Sequence, residues 1–327
     1  MHMNRRDFIL AAVGAAVSLP KAQAQQTSPL VGVLGNGSQQ AVRLNFAPVK
    51  ARLAEMGFVE GRNLALEYYG ADDQLDRLPL LVTDLVQRRV AVIAALSGPA
   101  ISAAKAATTS IPIIFFTGFD PQASGFVKSL NRPGGNATGV SILAPELNLK
   151  RLEFLHELVP AAKTIAFLHT QTAIKSEDAF QKNMKQGAET IGVNWLPLNV
   201  TSATDLDQSF ARAEGEGAGA LIVNSDAVFL NNRHKIIALA ARHRLPAMYF
   251  TRECAAEGGL ISYGPNYTDA YSQVGEMLGR VLKGEKPEDL PVRQVTKIEL
   301  VINAKTANSL GLTVPTALLA GADEVIE

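Results

Sequence analysis

Polar and acidic side chains follow several short apolar runs in this sequence, at positions where they could bind a small molecule. Ser97 and Thr117 each follow such a run, and a hydroxyl beside the free N–H groups of a helix start suits a carboxylate. At Asp120, Asp226 or Glu253 a carboxylate can accept hydrogen bonds from an ammonium group. The sequence therefore predicts a site for an amino acid or a similar small carboxylate. The candidate residues are Asn36, Ser38, Ser97, Gly98, Thr117, Gly118, Asp120, Ser225, Asp226, Tyr249, Arg252 and Glu253.

The stretch IPIIFFTGFDPQASG, residues 111–125, places Asp120 in a turn that directly follows an apolar segment. Three roles are open to this residue, namely catalysis, ligand contact and capping of the next helix. Pro121 suits the first position of a turn or helix. An aspartate directly before that position suits an N-cap, which typically contributes about 0.5–2 kcal/mol. We therefore favour the cap over direct ligand contact, and catalysis is the least favoured role.

Sequence patterns of common catalytic and metal sites are absent. The histidines form no H-E-x-x-H or cysteine–histidine pattern. The single cysteine, Cys254, allows no intramolecular disulfide and favours a buried thiol over a nucleophile. GVLGNGSQQ is only a partial dinucleotide loop, since Gln40 stands where the third glycine belongs. We therefore expect no enzyme activity, cofactor or metal, with an α/β enzyme using Asp226 and Glu253 as acid and base kept as an alternative.

Short β-rich apolar runs alternate with helical patterns along the chain, which indicates parallel sheets with helices on their faces. The runs are too many for one small sheet, so we predict an α/β fold of two doubly wound parallel-sheet lobes joined by a multi-crossing hinge. In such sheets ligands bind beyond the carboxyl ends of the strands. The predicted strands are Val31–Leu34, Leu64–Tyr69, Val90–Ala94, Ile113–Phe116, Thr164–Leu168, Asn194–Leu198, Ala220–Val223, Ala247–Phe250, Leu260–Ser262 and Lys297–Ile302. Apolar stripes of helical spacing, each ended by a glycine, predict helices over 42–56, 180–191 and 267–282.

The turn at residues 133–136, Pro-Gly-Gly-Asn, and the change of pattern after it mark a boundary between the lobes. The long predicted helix after GGLISYG is expected to return to the first lobe, and a third crossing is expected in KPEDLPVRQ. The predicted divisions are residues 1–24 as signal peptide, 25–141 plus 264–285 as N-terminal lobe, 142–263 as C-terminal lobe, and 286–327 as third crossing and C-terminal segment, which we assign to neither lobe.

The first residues, MNRRDFILAAVGAAVSLPKAQAQQ, have the layout of an export signal, with Arg5 and Arg6 before an apolar stretch and a small-x-small triplet ending at Ala24. That stretch is about 12 residues, whereas a membrane span needs about 20. We expect cleavage near Ala24, and the paired arginines are compatible with the twin-arginine route. Equal numbers of basic and acidic residues, 31 each, give no attraction to nucleic acid or to an anionic membrane. The product is expected to be a periplasmic monomer without a membrane anchor.

Several long stretches resemble a known family. MGFVEGRNLALEYYGA, IPIIFFTGFDPQASGFVKSLNRPGGNATGVS and LPAMYFTRECAAEGGLISYG are similar to the ABC-importer substrate-binding proteins of the tryptophan-associated type, and the likeness extends over residues 30–327. It implies a type 1 periplasmic-binding-protein fold, whose ligand is enclosed by lobe closure and delivered to a permease and its ATPase. By the same resemblance, Ser97 and Thr117 would hold the carboxylate of an aromatic or other amino acid, and Asp226 or Glu253 its ammonium group. A sensory module that presents the bound molecule to a membrane receptor is the alternative.

Overall fold

The computed structural model describes residues 28–142, 144–170 and 177–327. The strands in these ranges are β1 (Leu30–Gly35), β2 (Ala65–Gly70), β3 (Val92–Ala95), β4 (Ile113–Thr117), β5 (Ala137–Ser141), β6 (Thr164–His169), β7 (Asn194–Asn199), β8 (Ala220–Val223), β9 (Ala247–Tyr249), β10 (Ile261–Pro265), β11 (Arg293–Gln294), β12 (Ile298–Asn303) and β13 (Glu324–Ile326). The helices are α1 (Gln39–Asn45), α2 (Ala47–Glu55), α3 (Leu78–Gln87), α4 (Gly98–Ala107), α5 (Ala144–Leu158), α6 (Glu177–Thr190), α7 (Leu206–Gly215), α8 (Ala227–Asn231), α9 (Arg233–Arg242), α10 (Arg252–Ala256), α11 (Tyr267–Leu282), α12 (Ala304–Ser309) and α13 (Thr316–Gly321). The predicted signal peptide lies outside the described residues.

The strands form two sheets, one in each lobe. The first sheet has the order β11-β5-β4-β3-β1-β2 and is parallel throughout. The second sheet has the order β13-β12-β10-β9-β8-β6-β7, and its strands β12 and β10 run antiparallel to each other. The prediction of two α/β lobes is confirmed. The second sheet is mixed, however, and not purely parallel.

Among the described residues, the chain passes between the lobes three times, at the carboxyl edges of both sheets. It crosses after β5, again between β10 and α11, and again between β11 and β12. The last connection, 295–297, is too short to reach the far edge of the second sheet, so β12 starts at the carboxyl edge. It therefore runs antiparallel to β10, which ends at that edge. Val295 N donates a hydrogen bond to Ser141 O at 3.0 Å, which ties the third crossing to the first.

Helix α11 packs tightly against α2 of the first lobe. Its buried face carries the apolar stripe that the sequence predicts. Gly275 and Gly279 are four residues apart and therefore share one side of the helix. A Cβ atom at Gly275 would lie 2.7 Å from Val49 O, and one at Gly279 would lie 2.6 Å from Met56 Sδ. The close approach of the two helices requires glycine at position 275, where the contact is with backbone, whereas the flexible end of Met56 could move away from a side chain at position 279. The packing fixes the start of α11, at Tyr267, relative to the first lobe.

Two features of the elements differ from the sequence predictions. The helix predicted over 42–56 is divided into α1 and α2 at Phe46. Pro48, in the first turn of α2, has no N–H and its ring crowds the carbonyl four residues earlier, which ends α1. Strand β5, ATGVS, has no apolar run for the sequence to show, yet all its residues are buried. Within the described part of the chain, no helix combines the length and the apolar character needed to cross a membrane.

Candidate functional site

A cleft separates the lobes where the carboxyl edges of their sheets face each other, which is where ligands bind in such sheets. The volume of the cleft is about 60 Å³. That is several times the roughly 10–15 Å³ that one buried water needs, so the cleft is not filled by protein side chains. Residues that line the cleft include Asn36, Ser97, Gly98, Phe116, Gly118, Phe119, Ser225, Asp226, Asn231, Tyr267 and Tyr271.

The first lobe contributes neutral hydrogen-bonding groups to the cleft. Ser97 Oγ donates to Asn36 Oδ1 at 2.6 Å, and both residues are more than nine-tenths buried. The Nδ2 amide group of Asn36 has no hydrogen-bond partner among the described residues. Ser97 also caps α4, and Gly98 is the first helical residue, whose N–H has no acceptor within the helix. Donors at the positive end of a helix dipole suit a carboxylate.

Aromatic side chains form another part of the cleft wall. Phe116, in β4, stacks on Tyr271 with 4.7 Å between ring centroids and meets Tyr267 edge to face at 5.6 Å. Tyr267 also forms a hydrogen bond with Ser225 of the second lobe. Burial raises the pKa of both tyrosines, so their hydroxyls stay neutral. Such a wall favours a ligand with a planar or apolar group.

The second lobe contributes a carboxylate at the N-terminus of α8. Asp226 Oδ1 accepts a hydrogen bond from Val228 N at 2.8 Å, and Oδ2 accepts one from Thr170 Oγ1 at 2.8 Å. The residue is half-buried and lines the cleft. Each carboxylate oxygen can accept more than one hydrogen bond. Asp226 can therefore also accept from an ammonium group in the cleft.

A second carboxylate, Asp73, comes near Asp226 from the loop after β2 in the first lobe. Burial raises the pKa of Asp73 to about 6, helped by the negative charges of Asp226 and Asp72 and opposed by a hydrogen bond with Asn232. Its Oδ1 atom is buried and has no hydrogen-bond partner among the described residues. Two carboxylates from opposite lobes therefore lie near each other beside the cleft, an arrangement that a cationic group stabilises.

A fully buried arginine positions the turn after β8. Arg151 Nε donates to Tyr263 O at 2.7 Å, and Nη1 donates to Asn148 Oδ1 at 2.6 Å. Nη2 lies 3.4 Å from Ser225 Oγ, and Asn148 Nδ2 donates to Asn224 Oδ1 at 3.0 Å. Burial lowers the pKa of Arg151 to about 10, so the side chain is still charged at neutral pH. The sequence gives no signal for this role, because Arg151 lies in an ordinary helical pattern.

The lobes touch each other at the mouth of the cleft. Asn45 Nδ2, at the end of α1, donates to Asn231 Oδ1, at the end of α8, at 3.1 Å. A Cβ atom at Gly37 would lie only 2.1 Å from Asn231 Nδ2, so the backbone of one lobe packs directly on a side chain of the other. The structure therefore shows the lobes closed over the cleft.

The structure brings half of the predicted site residues together at the cleft. They meet because each follows, or lies near, the carboxyl end of a strand that faces the other lobe. Tyr267 and Tyr271 complete the wall, although neither is among the predicted site residues. A pair of tyrosines four residues apart at the start of a helix, next to a crossing, is the signal that points to them. The predicted residues at the cleft are Asn36, Ser97, Gly98, Gly118, Ser225 and Asp226.

Three predicted residues of the first lobe lie outside the cleft lining. Ser38 is exposed and caps α1 by accepting from Ala41 N. Thr117 is fully buried, and its Oγ1 accepts from Phe119 N at 3.1 Å. Asp120 accepts from two N–H groups of the turn at residues 121–125, at 2.8 and 3.2 Å, so it caps a turn where the sequence predicts the start of a turn or helix. Their side chains therefore hold local backbone in place.

Three predicted residues of the second lobe also lie outside the cleft lining. Arg252 forms two hydrogen bonds to Glu324, at 2.6 and 2.7 Å. Glu253 accepts a hydrogen bond from the hydroxyl of the preceding Thr251. Tyr249 is 1% exposed and borders a different cavity. The sequence could not show these partners, because Glu324 is far along the chain and the direction of a side chain at a strand end depends on packing.

The nearby cysteine has no reactive environment. Cys254 is 1% exposed, and burial raises its pKa, so it remains a protonated thiol at neutral pH. The prediction of a buried thiol is confirmed. In the ranges that the structure describes, no group of three or more His, Cys, Asp or Glu side chains is placed to hold a metal ion.

Two α/β lobes, three crossings and a cleft at the carboxyl edges of the sheets define a two-lobed solute-binding protein with a type 1 periplasmic-binding-protein fold. The sequence model of the family described as ABC transporter substrate binding protein matches residues 31–326. The chain belongs to that family, which confirms the resemblance seen in the sequence. The family is one of solute-binding proteins and not of enzymes.

Relatives from several bacteria show the same architecture. A protein named tyrosine-binding protein from Clostridioides difficile strain R20291 is 25% identical over 261 residues, which cover 80% of this chain and 74% of that protein. An ABC domain from Streptococcus pneumonia, solved in complex with L-Trp, is 26% identical, with a TM-score of 0.80 over 91% of this chain and 100% of that one. A conserved domain protein from Vibrio cholerae, 23% identical, has a TM-score of 0.82 over 91% of this chain and 99% of that one, and shows the fold.

Proposed function

We propose that this protein is the exported solute-binding component of an ABC importer and that it encloses an aromatic amino acid between its lobes. The observation that carries the proposal is the combination of groups in the cleft, with helix-start donors on one lobe, a carboxylate on the other and aromatic rings between them. The relatives support the ligand class, since one is named tyrosine-binding and another was solved with L-Trp.

In this proposal the ligand carboxylate binds the donors of the first lobe. The Nδ2 group of Asn36 and the N–H of Gly98 are the groups that would hold it, and the hydroxyl of Ser97 orients the Asn36 amide by donating to its Oδ1 atom. Hydrogen bonds to an ionised acceptor are about twice as strong as bonds between neutral groups, which makes this set an effective anchor. We place the aromatic ring against Phe116 and Tyr271, where ring contacts typically add about 0.5–1.5 kcal/mol.

The ligand ammonium group binds Asp226 of the second lobe in this proposal. The nearby Asp73 adds negative charge to the same region. Ser225 and Gly118 complete the proposed ligand contacts, and Tyr267 links the aromatic wall to Ser225. The two charged ends of the ligand contact different lobes, so both contacts form only when the lobes are closed. The ligand therefore binds the closed arrangement more tightly than an open one.

The proposed partners follow from the family. A solute-binding protein of an ABC importer passes its ligand to a permease and its ATPase subunits, and we propose that this chain does so as a monomer in the periplasm. The supporting observation is the sequence of residues 1–24, which has the layout of a cleavable export signal. The balanced charge of the chain, with 31 basic and 31 acidic residues, gives no reason to expect a nucleic-acid partner.

Thermal melting of the mature protein with single ligands tests the proposal. We expect L-tryptophan, L-tyrosine or L-phenylalanine to raise the melting temperature, because a ligand at 100 times its Kd stabilises the folded state by about 2.7 kcal/mol. L-leucine tests the need for a ring, tryptamine lacks the carboxylate, and 3-(indol-3-yl)propionate lacks the ammonium group. Each of these three should bind more weakly than the matching aromatic amino acid.

The proposal fails if none of the amino acids stabilises the protein. It also fails if a bound amino acid is chemically converted, since that outcome would make the protein an enzyme. Stabilisation by L-leucine equal to that by the aromatic amino acids would keep the class of amino-acid carrier and remove the aromatic specificity.

A further inference from the structure

A second cavity lies in the second lobe, at the sheet edge opposite the cleft. It is enclosed by the end of α9, the starts of β9 and β10, and α12, and its volume is about 270 Å³. Small-molecule sites start at about this size. About half of its wall is apolar, and the apolar side chains there are Ile237, Ala240, Leu245, Ala247, Leu260 and Leu310.

Tyr249 brings a polar group to this apolar wall. The residue is 1% exposed, and a Cβ atom at Gly259 would lie 2.6 Å from its Cε2 atom, so the ring is tightly held. Its hydroxyl has no hydrogen-bond partner among the described residues. Burial raises the pKa of the phenol, so it keeps its proton and can donate. The residue borders the cavity, so its hydroxyl can donate a hydrogen bond to a molecule bound there.

Arg244 brings a positive charge to the rim of the same cavity. It joins α9 to β9 with a φ of 48°, a left-handed conformation that is costly for a residue with a Cβ atom. Its side chain is exposed and forms no ion pair or hydrogen bond with any described residue. Other arginines of the second lobe behave differently, since carboxylates pair with Arg212, Arg233, Arg242 and Arg252.

The remaining polar side chains of the wall already use their protons within the protein. Thr306 Oγ1 donates to Gly258 O at 3.0 Å, and Ser309 Oγ donates to Thr306 O at 2.8 Å. The donors still open toward the cavity are therefore the hydroxyl of Tyr249 and the guanidinium of Arg244. A phenol and an arginine together suit a carboxylate ligand. Both can donate hydrogen bonds to its oxygens, and the guanidinium also neutralises its negative charge.

We propose that this cavity is a second binding site, which takes a small monocarboxylate with an apolar body. Arg244 and Tyr249 hold the carboxylate, and the apolar wall encloses the body. The site is independent of the cleft, because none of its residues lines the cleft and the two lie at opposite edges of the sheet.

The test uses 4-fluorobenzoate as the probe, titrated into the full mature protein and followed by its fluorine NMR signal. We expect saturable binding that Arg244→Gln weakens at least fivefold, in line with the loss of a charge-assisted hydrogen bond of about 1 kcal/mol or more. Tyr249→Phe should weaken binding about threefold, and Ala241→Trp, which fills the cavity mouth, should abolish it. 4-Fluorobenzyl alcohol has the same ring without the carboxylate and should bind more weakly.

Arg242→Gln is the matched control, because Arg242 is also exposed and near the end of α9 but pairs with Asp207 and does not line the cavity. It should leave the affinity for 4-fluorobenzoate unchanged. Equal loss in Arg242→Gln and Arg244→Gln overturns the proposal, as does the absence of saturable binding. Arg244 is exposed, so its variant should fold even if Tyr249→Phe does not.

Discussion

The two walls of the cleft carry different kinds of charge. The first lobe offers neutral donors at the start of α4, whereas the second lobe offers the carboxylate of Asp226 on a turn that the buried Arg151 positions. A zwitterionic ligand can satisfy both walls only when the lobes are close together. The difference between the walls therefore couples ligand selection to closure, since a molecule with only one charged end forms a charged contact with only one of the lobes.

Removal of the charge from the second wall should have the largest effect. Asp226→Asn still provides an N-cap for α8, because asparagine caps as well as aspartate does. We expect the affinity for the aromatic amino acid to fall roughly 100-fold, since a hydrogen bond to a charged group contributes up to about 3 kcal/mol. Isothermal titration calorimetry on the variant and the wild type measures this change in affinity. Asp120→Asn changes a cap outside the cleft and serves as control, and similar affinities for both variants would contradict the role of Asp226.

Weakening the first wall should have a smaller effect. Ser97→Ala removes one hydroxyl and the cap of α4, and we expect a loss of affinity of about tenfold, from about 1–1.5 kcal/mol. The loss should be much smaller for tryptamine, which has no carboxylate. Ser38→Ala removes the cap of α1 outside the cleft, so it should lower the melting temperature without changing affinity. If tryptamine loses as much affinity as tryptophan in Ser97→Ala, this wall does not hold the carboxylate.

The aromatic side chains between the two walls should contribute less to ligand affinity than either wall does. Tyr271→Leu should weaken binding of an aromatic amino acid about three- to tenfold, which corresponds to the 0.5–1.5 kcal/mol of a ring pair. Binding of L-leucine, if measurable, should change less. Tyr271→Phe keeps the ring that stacks on Phe116 and is the matched control. Competition binding measured on both variants decides the prediction, and equal losses in both would assign the effect to the hydroxyl.

The smallest expected effect concerns the pH dependence of stability. The folded protein holds the proton of Asp73 more tightly than the unfolded chain, so the contribution of this residue to stability falls as pH rises from about 4 to about 6. In Asp73→Asn the side chain at this position does not titrate, so its contribution to stability does not fall over this pH range. We expect the variant to be more stable than the wild type at pH 7 by at most about 1 kcal/mol, because solvent screens a half-exposed group. Melting curves at pH 4 and pH 7 test this, and a difference that is the same at both values would refute it.

The sequence predicts the fold more fully than the site. Most buried strands, with β5 as an exception, are continuous apolar runs, and the rule for their carboxyl ends places Ser97 and Asp226 at the cleft. The same rule also selects Arg252, which follows strand β9. In the structure this side chain pairs with Glu324 from the last strand, and the sequence does not show that pairing. It misses Tyr267 and Tyr271 for a different reason. Each of them is at once part of the core and part of the cleft wall, and a helical apolar stripe indicates only the first role.

The three crossings have a consequence for the motion of the protein. They lie side by side at one edge of both sheets, and the hydrogen bond from Val295 to Ser141 ties two of them together. We expect three adjacent crossings to restrain twisting and sliding of the lobes more than bending, so that closure is mainly a hinge motion. Ligands of different shape that bridge the cleft would then produce nearly the same outer surface. A membrane partner that binds this surface would then distinguish only closed from open protein, and not one bound ligand from another.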